Sequence, residues 1–162
     1  MAQGSFKQPK EAQLLKQLIG EWLVGIAMKT PDEKVVAGCG EMTAVETESG
    51  INSEINTEIE DYEDYYENDL WSYDPTKDEV HLFRTTSEGQ IHDHTGKWKD
   101  TTTIELTWHG TFEDQEQEKH IIAKWVTKDQ IELRETNYSH GKQILETDYV
   151  FKRKEEEPNP AD

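Results

Sequence analysis

The sequence predicts an all-β fold, a single antiparallel up-and-down barrel of about ten strands closed at one end by a short N-terminal helix. Three observations predict it. From Trp22 onward apolar residues recur with a period of two. Turn signals separate the alternating segments at nearly even spacing. A Gly20-Glu21-Trp22 opening and a Tyr149-Val150-Phe151-Lys152-Arg153 ending are placed to meet where such a barrel closes.

The elements follow in order. Pro9 suits a first helical position, and Leu14, Leu15, Leu18 and Ile19 give helical spacing up to Gly20, so a helix is expected over about 9–19. It is too short to stand alone and needs a barrel end to dock on. Trp22, Val24, Ile26 and Met28 share one face of the first strand, and Thr30-Pro31-Asp32-Glu33 turns the chain. The second strand is expected over 34–46, with Gly38 and Gly40 as bend points. A third covers 51–61. The acidic, tyrosine-bearing stretch 61–68 reads as a connection at the barrel mouth. Further strands are expected over 69–73, 79–86, 90–99, 102–109, 119–127, 130–138 and 144–153. The folded domain is expected over 1–154, with residues 1–8 loose and 155–162 a disordered acidic tail.

Composition narrows the function. Hydrophobic residues are 33% and mean hydropathy is −0.95, which argues against a large solid core. Aromatic residues compensate, each burying roughly 150–250 Å². The net charge of −18 repels phosphate backbones and anionic membrane surfaces, so neither nucleic acid nor membrane insertion is expected. Cys39 is the single cysteine, so no internal disulfide forms and no Cys-rich metal site exists. It has no activating base beside it in sequence. The start of the chain lacks an apolar signal-type segment, and the cytoplasm is the expected location.

The chain resembles the lipocalin-like, or calycin, barrels, and more closely a bacterial and archaeal family of lipocalin-like proteins. Leu-x-x-Leu-Ile-Gly-x-Trp over 15–22, Leu70-Trp71-Ser72-Tyr73-Asp74-Pro75 and the terminal Asp148-Tyr149-Val150-Phe151-Lys152-Arg153 carry the resemblance. It implies a barrel plugged by the N-terminal helix, and no particular activity. Nitrobindin-like barrels, which bind haem iron through a histidine, are a more distant likeness. Their pattern is not evident here, and no histidine carries over as an axial ligand.

Arg153 shares a face with Tyr149 and Phe151, so its guanidinium can stack on Trp22 as a structural clasp. His92-Asp93-His94 puts two imidazoles on one strand face, with Asp93 opposite. They read as a polar lumen wall, as the start of a metal site with His81, His109 or a carboxylate as third ligand, or as an ordinary pair. Arg84 shares a face with Val80 and Leu82, which allows an interior guanidinium, although an exterior salt bridge is the commoner outcome in so acidic a chain. Trp71 with Tyr73, Trp108 with Ile104 and Leu106, and Trp125 with Ile121 and Ala123 are wall or plain core. Carboxylate pairs are so common in this chain that none stands out. No phosphate loop, nucleophile elbow or His-Glu-x-x-His occurs.

The expected function is therefore non-catalytic binding of a small, largely apolar or amphipathic molecule in the lumen. Trp22, Trp71, Tyr73, Arg84, His92, His94, Trp108 and Trp125 are the lumen candidates. The sequence requires no cofactor. A haem- or metal-binding barrel using His92 and His94 is one alternative, and a ligand-free homodimer module is another.

Overall fold

The computed structural model describes residues 9–155. A short helix, α1 (Lys10–Leu14), continues as a 3-10 turn over Leu15–Leu18. Ten strands follow: β1 (Gly20–Lys29), β2 (Val35–Thr47), β3 (Gly50–Ile59), β4 (Tyr65–Asp74), β5 (Glu79–Thr86), β6 (Ile91–Trp98), β7 (Thr103–Phe112), β8 (Gln115–Thr127), β9 (Gln130–Ser139) and β10 (Lys142–Arg153). Each pairs antiparallel with its sequence neighbours, and β1 pairs with β10 to close the barrel. Closure leaves no sheet edge unpaired.

Strict alternation drives this architecture. Trp22, Val24, Ile26 and Met28 are buried, while Glu21, Leu23, Gly25, Ala27 and Lys29 face out. Even-numbered residues of β5 and odd-numbered residues of β8 do the same, placing Val80, Leu82, Ile121 and Ala123 inside. Gly40 answers the expectation of a bend in β2. A Cβ there would collide with the Asn56 carbonyl of β3, so only glycine lets the two strands close up. The apolar core lies toward the end where α1 docks, with Leu15 and Leu18 inserted as a plug.

Several boundaries differ from the sequence reading. Pro9 precedes the helix as its cap instead of starting it, and the last turn tightens to 3-10 geometry. The stretch 61–68 is only half a connection. β4 begins at Tyr65, because Glu67 turns inward to a guanidinium rather than out to water. β7 and β8 run on into a polar hairpin whose turn residues Glu113 and Asp114 both have positive φ. The loose start at 1–8, and the expected tail apart from the exposed Glu155, lie outside the described residues.

Candidate functional site

The cross-strand register sets one row of polar side chains on the inner wall. Arg84 on β5 sits opposite Asp69 on β4 and opposite His92 on β6. Its Nε and Nη2 donate to the two oxygens of Asp69 at 2.9 Å each, a bidentate pair. Nη2 also lies 3.2 Å from Glu67 Oε2. Nη1 reaches across to β9 and donates to Glu135 Oε2 at 3.1 Å. Lys119 Nζ on β8 sits 3.1 Å from the other oxygen of Glu135. Five charged groups thus form a strut across the lumen, with Arg84 only 4% exposed.

Burial and pairing pull the carboxylates apart. Burial raises the pKa of Glu67, Arg84 offsets part of that, and Asp69 adds to it, leaving it at about 7. Burial would also raise Glu135, but Lys119 and Arg84 outweigh it and hold it at about 2. Burial opposes the charge of Arg84, yet Asp69 and Glu67 keep its pKa well above the ordinary value. Burial pushes the phenols of Tyr65 and Tyr149 upward, with Glu67 and Glu135 adding to it.

Two neutral imidazoles lie beside the strut. Burial lowers His92 to about 4 and His94 to about 3, with Lys119 and Arg84 reinforcing it. His94 Nδ1 lies 3.3 Å from the Leu82 carbonyl, which can only accept. That bond fixes the Nδ1–H tautomer and leaves Nε2 as an acceptor without a protein partner. His92 stacks on Trp108 with ring centroids 3.9 Å apart, and its Nδ1 has no protein partner. The Trp108 ring lies over Gly110, where a Cβ would collide with it.

On the helix side of the strut is a small cavity of about 20 Å³, bounded by Ser53, Glu67, Trp71, Arg84, Trp125 and Glu135 among others. Ser53 Oγ and the indole N–H groups of Trp71 and Trp125 are buried there without protein partners. Buried polar atoms left this way are few in folded proteins and each needs a reason.

The expected site residues therefore separate into three groups. Trp71, Arg84 and Trp125 line the cavity. His92, His94 and Trp108 form a second inward cluster, with His94 and Trp108 ring centroids 6.4 Å apart. Trp22 and Tyr73 do not line the cavity. Trp22 is fully buried, donates to the Leu18 carbonyl at 2.9 Å and lies 4.1 Å under the Arg153 guanidinium. Tyr73 packs on the core edge, but its hydroxyl turns out to Asp78 at 2.8 Å, because its place near the end of β4 puts that hydroxyl at the rim.

Two other expectations need correction. His81 cannot join His92 and His94 as a third ligand, because it is on the outer face between Glu79 and Asp93. His109 is exposed and near Glu118. Among the described residues no group of three His, Cys, Asp or Glu side chains is set to hold a metal ion. A haem macrocycle does not fit a cavity of about 20 Å³ in this side-chain arrangement. The carboxylates Glu67, Asp69 and Glu135, and Lys119, escaped the sequence reading. Their signal was parity: Glu67 and Asp69 alternate with Trp71, and Glu135 with Ile131 and Leu133.

No family model and no curated protein matches the chain. Solved structures do match its fold. Rv2717c from M. tuberculosis is 17% identical with a TM-score of 0.70, over 92% of this chain and 100% of that one. The S-type phycobiliprotein lyase CPES from Guillardia theta is 11% identical with a TM-score of 0.61, over 90% of this chain and 93% of that one. These likenesses show that the closed antiparallel barrel fold is shared.

Proposed function

We propose that this barrel binds a small amphipathic molecule in its lumen without transforming it. The observation that carries the reading is the set of buried polar atoms lacking protein partners around one small cavity: Ser53 Oγ and the Trp71 and Trp125 indole N–H groups. Each costs roughly 1–3 kcal/mol if left unpaired. At about 20 Å³ the cavity has room for about one water, so a guest that recovers this cost enters by moving the lining side chains apart. Leu133, Ile131 and Ile55 on the same wall supply an apolar face, worth roughly 25 cal/mol per Å² covered before association costs. Of the largely apolar or amphipathic guests the sequence allowed, the strut favours an amphipathic one.

One fold neighbour is named as a lyase, so the fold alone does not separate a carrier from an enzyme, and the reading rests on the lumen.

The test is nuclear magnetic resonance of the indole N–H signals with butanediol and benzyl alcohol as neutral guests. Saturable shifts at Trp71 and Trp125 support binding in the lumen. Guests that move no interior indole signal, together with a native mass equal to the bare chain after gentle isolation, overturn it. A Soret band in the isolated protein would replace it with the haem alternative.

A further inference from the structure

The strut does not balance. Glu67, Asp69 and Glu135 contribute three carboxylates, and only Arg84 and Lys119 answer them. The two imidazoles beside them are held neutral by burial. Asp69 has a bidentate partner, and Glu135 has a cation on each oxygen. Glu67 has the weakest claim: it reaches only Nη2, 3.2 Å away, which already donates to Asp69. An unmatched carboxylate in a site this dry is costly.

The same arrangement turns anions away. Nε, Nη1 and Nη2 of Arg84 all face carboxylates, and Lys119 is engaged by Glu135. No cationic group is left to greet an acid. Ser53, fully buried on the same cavity wall, offers a hydroxyl oxygen with no protein partner. The indole N–H groups of Trp71 and Trp125, from residues lining the same cavity, call for an acceptor oxygen.

Resting on the lumen-binding reading above, we propose that the guest is a small organic monocation, a primary ammonium on a short tail bearing one hydroxyl or carbonyl oxygen. The ammonium pairs with Glu67 and Ser53, and the oxygen accepts from an indole N–H. Guest and proton then compete for one carboxylate, whose pKa of about 7 makes the exchange measurable near neutrality. The groups that act on Glu67 are Tyr65 and Asp69 on its own strand, Arg84 on β5, Lys119 on β8, Glu135 on β9 and Tyr149 on β10, and His92 and His94 on β6 share Arg84, Lys119 and Glu135 with it. Of these the two imidazoles titrate well below neutrality, at about 4 and about 3, so Glu67 is the one that exchanges its proton there.

The experiment compares protonated aminobutanol with butanediol, which replaces the ammonium by hydroxyl, and with hydroxybutyrate. High salt screens the acidic exterior, and interior indole shifts report binding. Above the Glu67 pKa, aminobutanol should bind about tenfold more tightly than butanediol, and hydroxybutyrate should not bind. Glu67→Gln should erase the preference for aminobutanol over butanediol. In the unaltered protein about one pH unit below that pKa, where Glu67 is about nine-tenths protonated, calorimetry in two buffers should show release of close to one proton per aminobutanol bound. Equal affinity for aminobutanol and butanediol with no proton release overturns the cation assignment and leaves lumen binding standing. No interior shift with any guest overturns both.

Discussion

Arg84 holds three carboxylates from three directions, so its loss is felt by all of them. Arg84→Met keeps the apolar stem but leaves Glu67 and Asp69 buried with Lys119 as the remaining cation, already paired to Glu135. Breaking a buried ion pair from one side costs about 3–5 kcal/mol. Urea unfolding should show a loss of that order. Adding Glu67→Gln and Asp69→Asn to Arg84→Met should recover part of it, because the stranded charge goes too. A loss no larger for Arg84→Met than for an ordinary surface change would mean that the strut is not held as described. The same logic explains why Arg84 was ambiguous in the sequence. Alternation with Val80 and Leu82 pointed inward, but the carboxylates that make an inward guanidinium tolerable come from β4 and β9, far away in the chain.

At the scale of elements, the ends of the barrel are joined by one side chain. Arg153 on β10 pairs with Trp22 on β1 and stacks over its ring at 4.1 Å. Its Nη1 donates to the Ile19 carbonyl at 2.6 Å, and its Nη2 donates to the carbonyls of Gln17 at 3.2 Å and Lys128 at 3.0 Å. Gly20, at φ 134°, leaves the room the guanidinium needs. These contacts tie the 3-10 plug to the closing strand. Arg153→Ala should therefore lower Tm by several degrees, roughly what 1–2 kcal/mol does in a protein of this size, and leave guest affinity within about twofold. A guest affinity that falls with unchanged Tm would assign Arg153 to binding instead. Strand identity was largely legible in the sequence, because alternation survives wherever one face is apolar, as in β1, β5 and β8. The start of β4 was not. Tyr65, Glu67 and Asp69 put acid on the inner face, and acid on an inner face looks like a loop until its partner is known. Lys119 and Glu135 were hidden for the same reason, since strands in so acidic a chain carry charge on both faces.

The whole molecule integrates these buried groups into one pH response. His92 and His94 have folded pKa values of about 4 and about 3, below the ordinary 6.5, so the unfolded chain takes up two protons the folded chain refuses. Their contribution is complete above pH 6.5 and is lost as pH falls. Glu67 works the other way. Its folded value of about 7 exceeds the ordinary 4.5, so the folded chain keeps a proton the unfolded chain gives up across that interval. Between about 4.5 and 6.5 the difference is close to one proton, and stability should fall by about 1.4 kcal/mol for each pH unit lost. Below 4.5 Glu67 is protonated in both states, and Glu135, held at about 2, adds its own loss, so the decline steepens. The net charge of −18 opposes this trend, since acid relieves repulsion among exposed carboxylates. High salt removes that contribution, because screening reaches a Debye length of about 3 Å at molar ionic strength while buried pairs are screened far less. Urea midpoints at high salt should therefore peak near pH 7, where proton uptake by the unfolded imidazoles and by folded Glu67 cancel. His94→Leu should flatten the limb between 4.5 and 6.5, and Glu67→Gln should nearly double its slope. Opposite responses from two substitutions in one cluster distinguish this linkage from general acid sensitivity. Identical slopes in all three proteins would mean that neither group titrates in its buried setting.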